Sequence, residues 1–286
     1  MTATALASSV GVLTDADIAE LAVAAIRSEA ELTPKPGLVD RRGSGAHTDM
    51  DLDMLRASAE ALRDAFVECA SAARQLPVGP DLRDLIGRIG RAGEAQMLVA
   101  TGGVNTHRGA LWALGLLSAG AAVGGIAGAV DVAARLAAIP DSAAVPTTSH
   151  GAVVRRRHGV RGAAGEAQSG FPHVRLHALP ALRAARRSGA DESTARLEAL
   201  LALMSRLDDT CVLHRGGPAG LHAVQSAART VLAAGGIGTA QGRRHFTALD
   251  DLCLTRRLSP GGSGDLLSAT LFLDALDERD DLSCRP

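Results

Sequence analysis

The sequence predicts an all-α fold, built as one globular domain over residues 1–286. Apolar residues make up 47% of the chain and are mostly Ala, Leu and Val, whereas aromatic residues make up 2% and tyrosine is absent. Ala and Leu favour helices, while strands favour aromatic and β-branched residues. Apolar positions recur at three- and four-residue spacings, and no run alternates strictly between apolar and polar residues.

The predicted helices follow one another along the chain. Thr14 has capping-box spacing to Asp17, and the first helix follows from there. A second helix begins near Asp51 and continues through Phe66, and a third begins with Asp81 as its N-cap. Further helices are predicted at 108–118, 125–138, 191–207, 218–234 and 264–276.

Polar, glycine-rich connectors separate these helices at 33–49, 101–108, 149–172, 208–218 and 259–265. Connectors that combine glycine with charged residues are where function concentrates, because the helices then serve as a rigid frame. We therefore expect these five connectors to form the active site.

Charge and the distribution of apolar residues argue against several classes of partner and cellular location. A formal net charge of −1 gives no general attraction to nucleic acid or to anionic membranes. The stretch 1–13 has no basic region before its apolar residues, which argues against a signal peptide. Apolar segments within 111–138 are broken by glycines and by Asp131, which argues against a membrane span. The sequence predicts a soluble, cytoplasmic protein.

The cysteines are far apart and none has CxxC spacing, so they predict reduced thiols rather than disulfides or a zinc site. They are Cys69, Cys211, Cys253 and Cys284.

Two connectors have features of an anion site. In ATGGVNTHRGA (100–110), glycines lead into a helix N-terminus and are followed by polar donors. These donors indicate a phosphate or polyphosphate site, although a glycine turn with an Asn or Thr cap gives the same pattern. In LSPGGSGD (258–265), Asp265 has a simpler interpretation, because an acidic residue near a helix start complements the dipole by about 0.3–1 kcal/mol.

Acidic residues cluster in the same connectors, notably in TDMDLD (48–53) and at Asp208 and Asp209. Carboxylates beside phosphate-type donors predict Mg²⁺ held between the protein and a polyphosphate. For Asp51 and Asp53, a solvated helix N-terminus is the favoured interpretation. No GxxxxGK[ST] sequence occurs, so the chain has no P-loop.

Taken in order, five segments resemble the triphosphoribosyl-dephospho-CoA synthase family, whose members serve citrate lyase or malonate decarboxylase. They are LTPKPGLVDRRGSGAHTDMD, ATGGVNTHRGALWALGLL, HGVRGAAGEAQSGFPHV, DDTCVLHRGG and LSPGGSGDLLSATLF, and the likeness extends from Glu29 to Leu273. Arg108 stands where the family commonly has lysine, and Gly264 where it usually has alanine.

The resemblance implies transfer of the triphosphoribosyl group of ATP to 3′-dephospho-CoA, with adenine leaving and Mg²⁺ as cofactor. The product, 2′-(5″-triphosphoribosyl)-3′-dephospho-CoA, is the precursor of a prosthetic group that a separate transferase attaches to an acyl-carrier subunit. A stand-alone chain favours the malonate decarboxylase pathway, and Ala- and Gly-rich helix faces suit a homodimer.

The resemblance also implies roles for residues. Substrate contacts are expected from Lys35, Gly37, Asp40, Gly102, Gly103, Asn105, Thr106, His107, Arg108, Arg215, Ser259, Gly261, Gly262 and Ser263. Candidates for Mg²⁺ coordination or for stabilising positive charge at C1 of the ribose are Asp40, Asp49, Glu94 and Asp209. The general acid or base is expected among His107, His214 and Glu166.

Lys35 is the only lysine among 30 basic residues. Between two prolines, its compact charge on a flexible stem could reach one phosphate oxygen in a confined pocket, where the planar fork of arginine would not fit. The alternative interpretation is that Lys35 has no functional role and is a leftover in an arginine-rich chain. The interpretation predicts that Lys35→Arg reduces activity sharply and leaves the fold intact.

Two other functions fit the same residues. One is an all-α, Mg²⁺-dependent hydrolase of nucleotides or ADP-ribosyl groups, and the other is a non-catalytic, helical nucleotide-binding adaptor. The fate of ATP distinguishes them, because only the synthase releases adenine in a manner that depends on dephospho-CoA.

Overall fold

The computed structural model describes residues 13–144 and 149–283, and within these ranges it confirms the all-α class, with helices and no β-strand. Residues 1–12 and Cys284, on which two of the sequence predictions depend, lie outside the described residues. The helices are α1 (Asp15–Glu31), α2 (Leu52–Ala61), α3 (Arg63–Gln75), α4 (Pro80–Ala100), α5 (Arg108–Ala138), α6 (His150–His158), α7 (Gly162–Gln168), a π-helical turn (Val174–Ala178), α8 (Leu179–Arg187), α9 (Glu192–Met204), α10 (Thr210–Ala233), α11 (Ala240–Thr255) and α12 (Gly261–Ser283).

The first helices begin for the predicted reasons, with two corrections. The Thr14 hydroxyl accepts a hydrogen bond from the Asp17 N–H at 3.1 Å, and the Asp17 carboxylate accepts one from the Thr14 N–H at 3.0 Å, which completes the capping box. The helix predicted from Asp51 divides at Leu62 into α2 and α3. Helix α4 begins at Pro80, which suits a first helical position, rather than after an Asp81 cap.

Glycines interrupt two of the longer helices. Within α5, Gly125 has a non-helical backbone (φ 56°), and the two predicted helices, 108–118 and 125–138, are the arms on either side. The arms pack closely, because a Cβ on Gly120 would lie 2.1 Å from the Ala129 carbonyl oxygen. Within α10, Gly217 has a similar conformation (φ 59°).

Three predicted connectors are more helical than expected. The 149–172 segment contains α6 and α7, the 208–218 segment contains the first turns of α10, and α12 begins at Gly261 rather than at 264. Helices α8 and α11 were not predicted. Helix α11 has a narrow apolar face, with Phe246, Leu249 and Cys253 buried among exposed arginines and acids, so its periodic signal is short.

Helix α1 lies at the centre of the core, where Ile18, Ala22 and Ile26 are fully buried against α3 and α12. Burial of each Ile or Leu side chain stabilises the fold by about 1.5–3 kcal/mol. The three described cysteines, Cys69, Cys211 and Cys253, are free thiols as predicted. In the described part of the chain, no helix has the length and apolar character needed to cross a bilayer.

Candidate active site

The N-termini of α10 and α12 are held together by one buried carboxylate. Asp209 is 3% exposed and caps α10 by accepting hydrogen bonds from the Cys211 and Val212 N–H groups. The same carboxylate accepts the Ser263 N–H at 2.8 Å and the Ser263 hydroxyl at 3.0 Å, near the first turn of α12. Burial raises the pKa of Asp209, and the hydrogen bonds from Ser263 oppose that rise. Asp209 therefore fixes the relative position of two predicted site segments.

A second acidic residue connects α12 to the N-terminus of α5. The Asp265 Oδ1 atom accepts a hydrogen bond from the Ala110 N–H at 2.9 Å. Gly109 allows this approach, because a Cβ at that position would lie 2.0 Å from Asp265 Oδ2. Three helix N-termini, those of α5, α10 and α12, are thus joined through Asp209 and Asp265. Helix N-termini carry partial positive charge and unpaired N–H groups, so their meeting point favours an anionic ligand.

Lys35 lies inside this region and is paired with a residue that the sequence analysis did not select. Its ammonium donates hydrogen bonds of 2.7 Å to both the carbonyl and the carboxylate of Glu29, and the lysine side chain is 1% exposed. Glu29 is also buried, and its Oε1 atom lies 3.0 Å from where a Cβ on Gly264 would stand. The lysine is confined, as predicted, but its partner is a carboxylate of the protein.

His107 stands at the start of α5, with its Nδ1 atom 2.7 Å from the Ser58 hydroxyl. Ser58 also hydrogen bonds to Thr106, so two predicted residues share this unpredicted partner. Burial and the Lys35 charge lower the pKa of His107 to about 3. A pKa this low leaves the imidazole neutral at physiological pH, so the structure favours hydrogen bonding by His107 over a general acid role that starts from imidazolium.

The low pKa of His107 predicts a specific loss of stability in acid. In the unfolded chain histidine has a pKa near about 6.5, so below that pH the unfolded state binds a proton that the folded state does not. This destabilisation grows by about 1.4 kcal/mol per pH unit as the pH falls from that value towards 3. Between pH 7 and pH 5, the wild type should lose about 2 kcal/mol more unfolding free energy than His107→Gln.

Urea unfolding at the two pH values measures the difference. The exposed helical residue His222 provides a control, because His222→Gln should show the same pH dependence as the wild type. Equal pH dependence of His107→Gln and the wild type would contradict a neutral, buried His107.

Asp40 stabilises the 33–49 loop. Its carboxylate accepts the Lys35 N–H at 2.8 Å, the Arg42 N–H at 2.7 Å and the Arg42 guanidinium. Arg42 also reaches Asp250 of α11 at 2.6 Å. Gly37 packs on the chain just before α12, since a Cβ there would lie 2.3 Å from the Leu258 carbonyl oxygen. With Asp40 engaged in these hydrogen bonds, its arrangement is that of a structural residue rather than of the predicted ligand.

His47 connects three predicted segments. Its Nε2 atom lies 2.8 Å from the Ser259 hydroxyl, and its Nδ1 atom lies 3.0 Å from the Arg215 guanidinium. Asp49 lies 3.5 Å from the same ring and is 61% exposed. Burial and the Arg215 charge lower the pKa of His47. This junction places one exposed carboxylate and one arginine beside the residues leading into α12.

Arg108, the first residue of α5, is paired with Glu94, and its Nε atom is buried without a hydrogen bond. The Arg108 N–H donates to the Asn105 side chain at 3.3 Å. Gly102 and Gly103 are exposed, and no atom lies within 4 Å of a Cβ built on either. The 101–108 connector therefore presents accessible backbone and a guanidinium with unused donor capacity.

Glu166 is engaged with a histidine that the sequence analysis did not select. Its two oxygens accept hydrogen bonds from the His173 N–H at 2.9 Å and from the His173 ring at 2.7 Å. The Glu166 hydrogen bond raises the pKa of His173, and Asp208 adds to that effect. With both oxygens engaged, Glu166 is arranged to orient His173. His214 lies exposed on α10, not in a loop.

The four predicted metal ligands do not form one group. Asp40 contacts Arg42, Asp49 contacts His47, Glu94 contacts Arg108 and Asp209 caps two helices. Across residues 13–144 and 149–283, no three acidic, histidine or cysteine side chains are arranged to hold a metal ion.

One cavity in the described part of the chain lies away from these groups. It has a volume of about 420 Å³ and borders α1 and α9, with Arg27, Arg41 and Arg196 in its wall. None of the predicted site residues lines it. The candidate active site lies away from this cavity, where the N-termini of α5, α10 and α12 meet.

Comparison with known proteins supports one family. The family described as ATP:dephospho-CoA triphosphoribosyl transferase matches residues 15–284. A protein of Stutzerimonas stutzeri named probable 2-(5''-triphosphoribosyl)-3'-dephosphocoenzyme-A synthase is 57% identical, with 91% of each chain covered. Proteins of the same name from Pseudomonas fluorescens and Azotobacter vinelandii are 56% and 55% identical, with 92% and 91% of each chain covered. No solved structure gives a significant match.

Proposed function

Because the chain belongs to the ATP:dephospho-CoA triphosphoribosyl transferase family, we propose that it transfers the triphosphoribosyl group of ATP to 3′-dephospho-CoA. Adenine leaves, and 2′-(5″-triphosphoribosyl)-3′-dephospho-CoA forms. The observation that carries the proposal is the meeting of the α5, α10 and α12 N-termini, which suits a polyphosphate.

The reaction needs cationic groups around the triphosphate and stabilisation of an oxocarbenium-like centre. We assign the triphosphate contacts to the 102–106 backbone, of which Gly102, Gly103 and Asn105 are exposed, and to the guanidinium groups of Arg108 and Arg215. Lys35 acts through Glu29, whose carboxylate it neutralises next to α12. The buried carboxylates Glu29 and Asp209 would favour positive charge at C1 of the ribose.

Mg²⁺ fits this site as an ion that enters with ATP. Mg²⁺ commonly uses one or two carboxylates together with substrate phosphates and waters, so a three-ligand protein cluster is not required. Of the four predicted ligands, Asp49 is the most accessible, and its one ion pair is a 3.5 Å contact to His47. When bound, the ion would offset charge on the triphosphate, and Asp49 would hold it at the mouth of the site.

This assignment predicts that chelation abolishes activity without destabilising the protein. Added EDTA should stop product formation and excess Mg²⁺ should restore it, while the thermal unfolding midpoint without ATP stays unchanged. Asp49→Asn should raise the Mg²⁺ concentration for half-maximal activity several-fold, whereas Asp53→Asn, at an 89% exposed side chain, should not. A fall in the midpoint on EDTA treatment would instead indicate a resident metal.

Three further parts of the proposal concern the metabolic pathway, the location in the cell and the oligomeric state. We propose that the product serves the acyl-carrier subunit of malonate decarboxylase rather than of citrate lyase, through a separate transferase. We also propose a cytoplasmic location, where ATP and dephospho-CoA are available, and a homodimer. Transfer of the purified product to each of the two carrier subunits tests the pathway, and light scattering tests the dimer.

The central experiment incubates the protein with ATP, Mg²⁺ and 3′-dephospho-CoA and separates the products by mass-resolved chromatography. We expect free adenine and the triphosphoribosyl adduct in equal amounts, and no adenine without dephospho-CoA. Adenine or phosphate released without the acceptor would indicate a hydrolase. ATP left intact under all conditions would indicate a binding protein.

A further inference from the structure

Asp265 differs from the other carboxylates near the three helix N-termini. Asp209 and Glu29 are 3% and 6% exposed and are held by hydrogen bonds, whereas Asp265 is partly accessible. Its Oδ1 atom is fixed by the Ala110 N–H, but its Oδ2 atom accepts no hydrogen bond from the described residues. Asp265 is thus oriented by one oxygen and has the other free for a ligand.

The surroundings of Asp265 increase its affinity for a proton. Burial raises the pKa of Asp265 well above its usual value, and the charges of Asp209 and Glu29 raise it further. Lys35, the partner of the neighbouring Glu29, is committed to that residue, and Asp265 forms no ion pair within the described part of the chain. Nearby His107 is neutral and provides no compensating charge. A carboxylate that is largely buried, remains partly accessible and has no cationic partner is suited to general base catalysis near neutral pH.

We propose that Asp265 is the catalytic base that accepts the proton of the attacking hydroxyl of dephospho-CoA. The inference rests on the proposed function. The hydroxyl proton moves to Asp265 Oδ2 while the hydroxyl oxygen forms its bond to C1 of the ATP ribose. The C1–N9 bond breaks, and its electron pair leaves with adenine. Adenine takes up one proton from solvent, and Asp265 returns one to solvent, so atoms and charge balance.

Gly109 has a defined part in this arrangement. A side chain there would occupy the position of the free Oδ2 atom, at 2.0 Å, so Gly109→Ala would displace the carboxylate without removing it. Gly109 is therefore a positioning residue for the base, and its substitution provides an independent variant.

The test compares Asp265→Asn, Asp265→Glu and Gly109→Ala with the wild type. Asparagine keeps an oxygen for the Ala110 N–H and removes the base, so kcat/KM should fall by about 10²–10⁴-fold, with ATP binding retained in equilibrium dialysis. The wild type should lose activity on the acidic side of its pH profile, and Asp265→Asn should lack that dependence. Glutamate should restore part of the rate, and Gly109→Ala should lower kcat with Asp265 still present. Asp53→Asn controls for loss of a carboxylate.

The outcomes separate the two proposals. The proposed base would be overturned if the wild type forms the adduct and Asp265→Asn keeps a kcat/KM within tenfold of it, with the same loss of activity in acid. That result would leave the synthase function standing. A wild type that forms no adduct would overturn the function and the base with it. If Asp265→Asn does not fold, full activity of Gly109→Ala would overturn the inference, and a large loss of kcat with intact ATP binding would support it.

Discussion

Lys35→Met is expected to lower the free energy of unfolding by about 3–5 kcal/mol, because it leaves the buried Glu29 carboxylate without its partner. The Lys35 side chain is 1% exposed. Its ammonium donates hydrogen bonds of 2.7 Å to the carbonyl and to the carboxylate of Glu29. A folded protein has only about 5–15 kcal/mol of stability, so this is a large fraction.

Urea unfolding measures the loss of unfolding free energy. Two other variants test whether that loss comes from the buried ion pair. The double variant Glu29→Gln/Lys35→Met removes both charges and should recover part of the loss. Arg27→Met breaks a solvent-exposed pair with Glu60 and should cost about 0–1 kcal/mol. A Lys35→Met variant as stable as Arg27→Met would show that the buried pair contributes little.

The same pair changes the expected behaviour of Lys35→Arg. Arginine is larger and planar, and the space around the ammonium is filled by Glu29 and bounded by α12. We now expect this variant to lose stability as well as activity, whereas the sequence interpretation predicted loss of activity with an intact fold. Unfolding and turnover measured on one preparation distinguish the two expectations.

Asp209→Ala is expected to lower the unfolding free energy by about 2–5 kcal/mol and to abolish activity. The substitution removes the cap of α10 and leaves the buried Ser263 N–H near the start of α12 without an acceptor. Two helix ends would then lose their common anchor.

Asp51→Ala is the matched control, because Asp51 caps only α2 and is exposed, and among the described residues its carboxylate accepts one hydrogen bond, from the Met54 N–H. That substitution should cost about 1 kcal/mol and leave turnover unchanged. Equal losses for the two variants would mean that the second helix contact of Asp209 adds nothing to stability.

Helical periodicity and capping chemistry predicted most of the fold. The Thr14 capping box was readable because its donors and acceptors are within three residues, and the helix start near Asp51 was predicted from the apolar spacing that follows it. The break at Leu62 was not, since the apolar spacing continues through it. Helix α11 was missed because few of its side chains are buried, which gives a weak periodic pattern.

For the site, the structure brings several of the predicted connectors into contact, but most partners of their residues were not predicted from the sequence. His47, Ser259 and Arg215 do come together. Ser58 carries no local signal, because its partners Thr106 and His107 are 48 and 49 positions away. The Glu29–Lys35 and Glu166–His173 contacts span only six and seven positions, but each joins a helix to the chain beyond it, so no helical spacing indicates them. Asp265 was also not predicted as a site residue, because its position at a helix start favoured a role in complementing the helix dipole. Its contact with Ala110 of α5 spans 155 positions and could not be predicted from residue spacing.

The long sequence separations within the site determine when it can form. Gly37 donates to Asp250 across 213 positions, and Ala110 donates to Asp265 across 155. Such contacts form late, because closing a long loop costs entropy before the contact stabilises it. A chain emerging from the ribosome holds the Lys35 and Arg108 segments well before α11 and α12 exist. We therefore expect that a chain lacking α11 and α12 releases no adenine from ATP, because the site is complete only when these last helices dock.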